Sequence, residues 1–270
     1  MSVPGVDYAW SKPTITALKA AGEVFVAQYF SHDATKNLTG GRASALKAAG
    51  ISLVVVWEFT AGAMKGGKAQ GVKDAQAAEA QAKACGVDGI PIYFACDYDA
   101  PPGDQAAINA YLDGTASVLG DDRGRNIYGG FWPCSRARAA GKTRRVWGTI
   151  AWSGTNWATA SWRPDIMQGA FIKIGGITCD LDAALSTDYG QWPRPAHPVK
   201  KWQAWKQKGD LTLQEVATAC NLSPSRILRE TARHYGKFDS ATASYLNRVF
   251  AGKAPASENI PAGASLWVLR

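Results

Sequence analysis

The chain has 270 residues, 46% hydrophobic and 19% charged, which gives room for one large domain and a small one. No apolar run approaches the roughly 18 residues of a membrane span, so no transmembrane helix is expected. The formal net charge of +8 is uneven: residues 199–270 hold 11 Lys+Arg against 5 Asp+Glu, so the positive field belongs to the C-terminal part and suits an anionic polymer.

In chain order, eight short apolar runs predict strands over Val3–Tyr8, Val24–Phe30, Ser52–Glu58, Ile90–Asp97, Arg125–Phe131, Val146–Ser153, Asp165–Phe171 and Gly176–Asp182. Helical signals lie between most of them. Pro13 opens a helix over Thr14–Ala21. Gly50, Gly86, Gly120 and Gly141 stop helices over Ala43–Ala49, Ala69–Cys85, Asp104–Leu119 and Ser135–Ala140. This alternation predicts an α/β fold, a compact (β/α)8 TIM-like barrel of parallel strands over residues 1–192. An open doubly wound sheet is the other arrangement, but no glycine-rich phosphate turn follows the first strand. Pro193, Pro195 and Pro198 then make residues 193–199 an extended linker to a second module over 200–270.

The five cysteines are widely spaced and form no C-x-x-C or Cys/His cluster, which points to reduced thiols rather than a disulfide frame or a zinc site. No metal or other cofactor is expected. Residues 1–5 lack the basic stretch and apolar core of a secretory leader, so synthesis in a cytoplasm is expected.

The densest chemical signal is P-I-Y-F-A-C-D-Y-D at residues 91–99. A buried strand ends there in Asp97 and Asp99, which alternation puts on one side. Other strands also end in acids: Asp7, Glu58, and the pair Asp180 and Asp182. At the C-terminal rim of a parallel barrel these carboxyls converge. Such a cluster serves either glycosidic hydrolysis, with one carboxyl protonated and another ionised, or a hard divalent cation. Some of the six would only cap loops or pair with arginines. Trp10, Trp57, Trp132, Trp152 and Trp157 lie at or beyond strand ends, where flat faces suit stacking on sugar rings. Singly each is more often core; together they favour carbohydrate.

The segments G-V-D-Y-A-W-S-K-P, F-V-A-Q-Y-F-S, K-N-L-T, Y-F-A-C-D-Y-D, N-I-Y-G-G, I-M-Q-G and D-L-D-A-A-L-S-T-D-Y-G-Q-W occur in order over residues 3–192. They resemble the actinobacterial glycoside hydrolase-like barrel family, itself similar to the family 25 glycoside hydrolases, the Chalaropsis-type lysozymes. The resemblance implies cleavage of the bond between N-acetylmuramic acid and N-acetylglucosamine. It implies catalytic roles for Asp7, Asp97, Asp99 and Asp180, with Asp182 the alternative to Asp180, and substrate contact by Gln168. Tyr29 and Tyr98 join Trp10, Trp57, Trp132, Trp152, Gln168 and Asp182 as expected substrate-binding residues. One departure stands out: Asp99 occupies the position of the lysozyme acid Glu. Asp99 would have to reach by a backbone shift, Glu58 would supply the acid, or the barrel would bind glycan without cutting it.

The tail segment W-Q-A-W-K-Q-K-G-D-L-T-L-Q-E-V-A-T-A-C-N-L-S-P-S-R-I-L resembles a LysM opening, and residues 259–268 its closing strand. An extra Leu211 and an insertion around Ala232–Tyr245 depart from the pattern. A DNA-binding helix-turn-helix over Leu211–Arg229 is the rival, but it does not require strands at both ends. The resulting expectation is a phage endolysin of muramidase type that binds peptidoglycan and anionic wall polymers, not nucleic acid or membrane. A non-catalytic wall-binding barrel is the alternative, and a metal-dependent phosphodiesterase with a DNA-binding tail a more distant one.

Overall fold

In a computed structural model, which describes residues 2–193, 202–206, 212–219, 245, 260 and 265–269, the eight expected strands close into one barrel. They are β1 (Val3–Asp7), β2 (Phe25–Phe30), β3 (Ser52–Trp57), β4 (Ile92–Cys96), β5 (Asn126–Gly129), β6 (Arg145–Thr149), β7 (Ile166–Ile174) and β8 (Ile177–Ala184). They are hydrogen-bonded in that order, and β8 closes onto β1. β1 to β7 are parallel, each to the next. β8 is antiparallel to both its neighbours, which corrects the expectation of eight parallel strands. The reason is local. Only Gly175 and Gly176 separate β7 from β8, both with positive φ, +58° and +84°. Two such residues make a hairpin turn and are far too few for a crossover.

Six helices follow or lead the early strands: α1 (Ile15–Ala21), α2 (Gly40–Ala48), α3 (Gly67–Ala84), α4 (Gln105–Leu119), a one-turn α5 (Asp121–Gly124) and α6 (Phe131–Ala139); a short α7 (Asn156–Thr159) lies between β6 and β7. Their ends are chemically marked. Thr14 caps α1 by accepting the Ala17 N–H at 3.1 Å, and Thr39 caps α2 by accepting the Arg42 N–H at 3.2 Å.

Strand alternation sorts the core into two layers. Val26, Leu53, Val55, Trp57, Ile92 and Phe94 face outward and pack with helix residues such as Leu18, Leu46, Ala75 and Ile108. Phe25, Ala27, Val54, Val56, Tyr93, Ala95, Trp147, Ile166 and Ala184 fill the interior. The end remote from the strand C-termini is plugged. Arg145, 2% exposed, pairs with Asp188 at 2.6 Å and Asp122 at 2.9 Å, and the Tyr93 hydroxyl donates to the Tyr189 carbonyl at 2.9 Å.

The chain divides into two compact units, Met1–Pro195 and Ala196–Arg270. In the second, β9 (Trp202–Lys206) and β10 (Ser265–Leu269) pair antiparallel, and α8 (Leu213–Ala219) follows β9. Thr212 and Glu215 form a capping box at the start of α8: the Glu215 N–H donates to Thr212 Oγ1 at 3.2 Å, and the Thr212 N–H to Glu215 Oε2 at 2.8 Å. The second helix of the LysM reading, most of the 232–245 insertion and most of the helix-turn-helix alternative lie outside the described residues, as do 194–199 of the linker.

The closest helix approach is between α3 and α4. A Cβ built on Gly71 would sit 2.2 Å from the Tyr111 carbonyl oxygen, and one on Gly114 would sit 2.3 Å from that of Lys68. Beside this contact the Tyr111 hydroxyl donates to buried Asp74 at 2.6 Å. Backbone cannot give way as a side chain can. We expect Gly71→Ala to lower unfolding free energy by about 1–3 kcal/mol, read from denaturant midpoints, through overpacking at this crossing.

Candidate active site

Above the apolar interior layer, the barrel mouth carries a polar layer and a cleft of about 610 Å³. Asp7, Tyr29, Glu58, Asp97 and Asp180 line it, together with Trp10 and Lys36. Each reaches the mouth for a strand reason. Asp7 ends β1, Tyr29 is the inward residue near the end of β2, Glu58 follows β3, and Asp97 follows β4. Asp180 arrives from the reversed strand β8, opposite Asp7 in the ladder.

Asp7 is the most constrained. It is 1% exposed. The Tyr29 hydroxyl donates to its Oδ1 at 3.1 Å and the Gln168 amide to its Oδ2 at 2.7 Å. Gln168 is fixed in turn by the Tyr128 hydroxyl, which donates to its Oε1 at 2.9 Å. Burial and the Asp180 charge push the Asp7 carboxyl up to about 7, against the opposing pull of these donors. One step deeper, Asp182 accepts from Trp147 Nε1 at 2.9 Å. Burial, then the Asp7 charge, raises Asp182 well above the ordinary carboxylate range. Asp97 is half-buried, and its carboxyl is raised by burial and by the neighbouring Glu58. Asp180 is raised by burial. Glu58 differs: Lys36 Nζ holds its Oε1 at 2.7 Å, while the same ammonium lies 5.0 Å from the Tyr29 ring centroid. That ion pair commits the Glu58 carboxylate to Lys36.

Several expected residues stand elsewhere. Asp99 is exposed and outside the cleft lining. β4 ends at Cys96, so the alternation that would align Asp99 with Asp97 stops before it acts. Trp57 is 1% exposed, because the alternation that turns Glu58 to the mouth turns Trp57 to the helix layer, edge-on to His32. It cannot stack on a ligand. Tyr98 points away from the cleft, its hydroxyl donating to Asp104 at 2.9 Å. Trp132, in the first turn of α6, and Trp152, in the turn after β6, are 48% and 42% exposed and lie outside the cleft lining. Trp152 has φ +55°, a strained backbone for a bulky residue. Trp157 is buried, donating to the Thr149 carbonyl at 2.9 Å. Among the described side chains Trp10 is the tryptophan that lines the cleft, 66% exposed and tethered through its Nε1 to Asp33 at 3.2 Å.

Sequence reasoning missed Lys36, Tyr128, Trp147 and Phe171. Tyr128 and Trp147 were findable, since alternation in N-I-Y-G and R-V-W-G-T points both inward. Phe171, 75% exposed, pairs with Asp180 across a bulge between Gln168 and Phe171. Bulges re-aim side chains in this way. Lys36 comes from a loop with no pattern to reveal it. Among the described residues no three of His, Cys, Asp or Glu are placed to hold a metal ion.

The raised Asp7 carboxyl has a consequence for stability. Between its ordinary value of 3.8 and about 7 the folded chain keeps a proton that the unfolded chain has released. Stability therefore falls as pH rises through that window, by about 1.4 kcal/mol per unit for one proton, and levels off above it. Asp7→Asn removes this slope. Urea unfolding at several pH values should show the variant gaining on the wild type as pH rises, with a larger advantage at pH 8 than at pH 5.

The family model of the Rv2525c-like, glycoside hydrolase-like domain matches residues 16–216, which include Asp97, Gln168, Asp180 and Asp182. The fold is similar to that of the Mycobacterium tuberculosis Tat-secreted protein Rv2525c, at 23% identity and a TM-score of 0.65, covering 70% of this chain and 98% of that one. The Clostridium perfringens spore cortex lytic enzyme SleM is more distant, at 13% identity and a TM-score of 0.50, covering 77% of this chain and 74% of that one. A B. stearothermophilus protein has 14% identity and a TM-score of 0.50, covering 67% and 95%. Comparison with curated proteins gives no significant match. With three quarters of its length matched by the family model, the chain belongs to the Rv2525c-like family of glycoside hydrolase-like domains.

Proposed function

We propose that this protein is a peptidoglycan hydrolase of muramidase type, acting at the bacterial cell wall. The observation that carries the reading is that Asp97, half-buried and raised, opens onto the same cleft as Asp7, a carboxyl cradled by fixed donors. Glycosidic cleavage needs that contrast: one carboxyl able to give a proton and others able to face positive charge. Asp97 protonates the leaving oxygen. Asp180, and Asp7 once the pH exceeds the value of about 7 at which it ionises, stabilise charge developing at the anomeric carbon. Trp10 offers a flat face at the cleft edge, and Phe171 adds another beside Asp180.

The second unit takes the wall-holding part. Its paired end strands and capped first helix support a LysM-like module, and its excess of Lys and Arg draws it to anionic wall polymers. A glycan-cutting barrel joined to a wall-holding unit is the plan of an endolysin, and that role belongs to the same reading. A binding-only barrel is the second reading, favoured by the exposure of Asp99 and by the Lys36–Glu58 ion pair.

Purified protein incubated with cell walls, with new reducing ends counted, decides between the two. We expect wild type to generate ends, Asp97→Asn to lose at least ~100-fold, and Asp99→Asn to stay close to wild type. Ends from neither wild type nor variants, with protein still on the walls, would leave the binding-only barrel. Retention of the full chain in the wall pellet should also fall as sodium chloride is raised, since charge attraction to wall polymers is screened. Salt-independent retention would remove the anionic polymers from the proposal.

A further inference from the structure

Asp7 on β1 and Asp182 on β8 are buried side by side, 1% and 4% exposed, within hydrogen-bonding reach of each other. Among the described residues no lysine or arginine pairs with either, and the lysine at the mouth is committed to Glu58. Two bare anions in one dry pocket repel and lose their hydration, so one of them keeps a proton.

The donors decide which. Asp7 receives a hydroxyl on one oxygen and an amide on the other. Asp182 receives only the Trp147 indole N–H, on Oδ1, and no N–H or hydroxyl reaches its Oδ2. The charge goes to the carboxyl with more donors, and the proton to the bare oxygen of the other.

We propose that Asp182 is a positioning residue that works as a neutral carboxylic acid, its Oδ2–H donating to Asp7 and completing a three-donor cradle under the cleft.

Asp182 does not line the cleft, so it acts through Asp7 rather than on substrate. Around the pair stand Tyr29 on β2, Tyr93 on β4, Tyr128 on β5, Trp147 on β6, Gln168 on β7 and Asp180 on β8. The tyrosines stay protonated in this environment, each raised by burial. The negative charge of Asp180 adds to the pressure against a second anion. Burial together with the Asp7 charge favours the acid form of Asp182, in agreement with the donor count. A neutral carboxyl with an amide-like donor role is replaceable by asparagine, whereas a carboxylate base or nucleophile is not.

Carbon-13 spectra of the full-length protein, labelled at the aspartate carboxyls, test the protonation state. One resonance should remain in the acid form at pH 8 in wild type and be missing from Asp182→Asn. If that variant does not fold, a shift of the resonance in Trp147→Phe, which removes the Oδ1 bond, assigns it instead. No acid-form resonance, or one insensitive to both changes, would overturn the proposal. The role in turnover rests on the hydrolase reading: Asp182→Asn should stay close to wild type in wall digestion, while Asp182→Leu should lose ~100-fold as Asp7 loses its placement. An asparagine variant as impaired as the leucine variant would also overturn it. A wild type that cuts no glycan yet shows the acid resonance would sink the hydrolase reading and leave Asp182 neutral.

Discussion

The reversal of one strand organises this barrel. β8 runs against both neighbours, held by its ladders to β1 and β7, and the Gly175–Gly176 turn leaves it no other direction. The reversal feeds Asp180 to the mouth first and Asp182 below it. Ladder pairing then sets Asp180 opposite Asp7, and Asp182 opposite Gly5 and Gln168. The contact between buried carboxyls is thus a matter of register. A slip by one residue would turn both aspartates out of the barrel.

Such a cluster opposes folding, and the rest of the interior offsets it. Below the polar layer, Phe25, Val54, Val56, Tyr93, Trp147 and Ile166 fill the barrel with apolar and aromatic volume, and large side chains like these contribute roughly 1.5–3 kcal/mol each when buried. The Arg145 network closes the far end with its charges matched. The mouth is where several carboxyls are left together around one cleft. There the Lys36–Glu58 pair neutralises one carboxyl and leaves Asp7, Asp97 and Asp180 to the cleft.

The sequence showed the barrel because apolar strand runs and glycine-stopped helices repeat along it, and every expected strand is present within a few residues. It showed Asp7, Asp97 and Asp180 at the mouth because each terminates or begins such a run. It failed where a strand ended sooner than its apolar pattern: Asp99 lies past the end of β4, and the rule that paired it with Asp97 had lapsed. Trp57 was misread for the converse reason. It is still inside β3, and alternation sends it away from the face of Glu58. The direction of β8 was legible in Ile174-Gly175-Gly176-Ile177, a two-residue turn between apolar residues, but the habit of alternating strand and helix outweighed it. Lys36 depends on how a loop folds back over Tyr29, which no periodicity encodes.

The same reversal decides where the barrel's two ends emerge. β1 begins, and β8 finishes, on the plugged face, where Val3 pairs with Ala184. Neither end crosses the rim. A reporter, an affinity handle or a surface anchor could be spliced to either end of the barrel segment with the perimeter of the cleft left open.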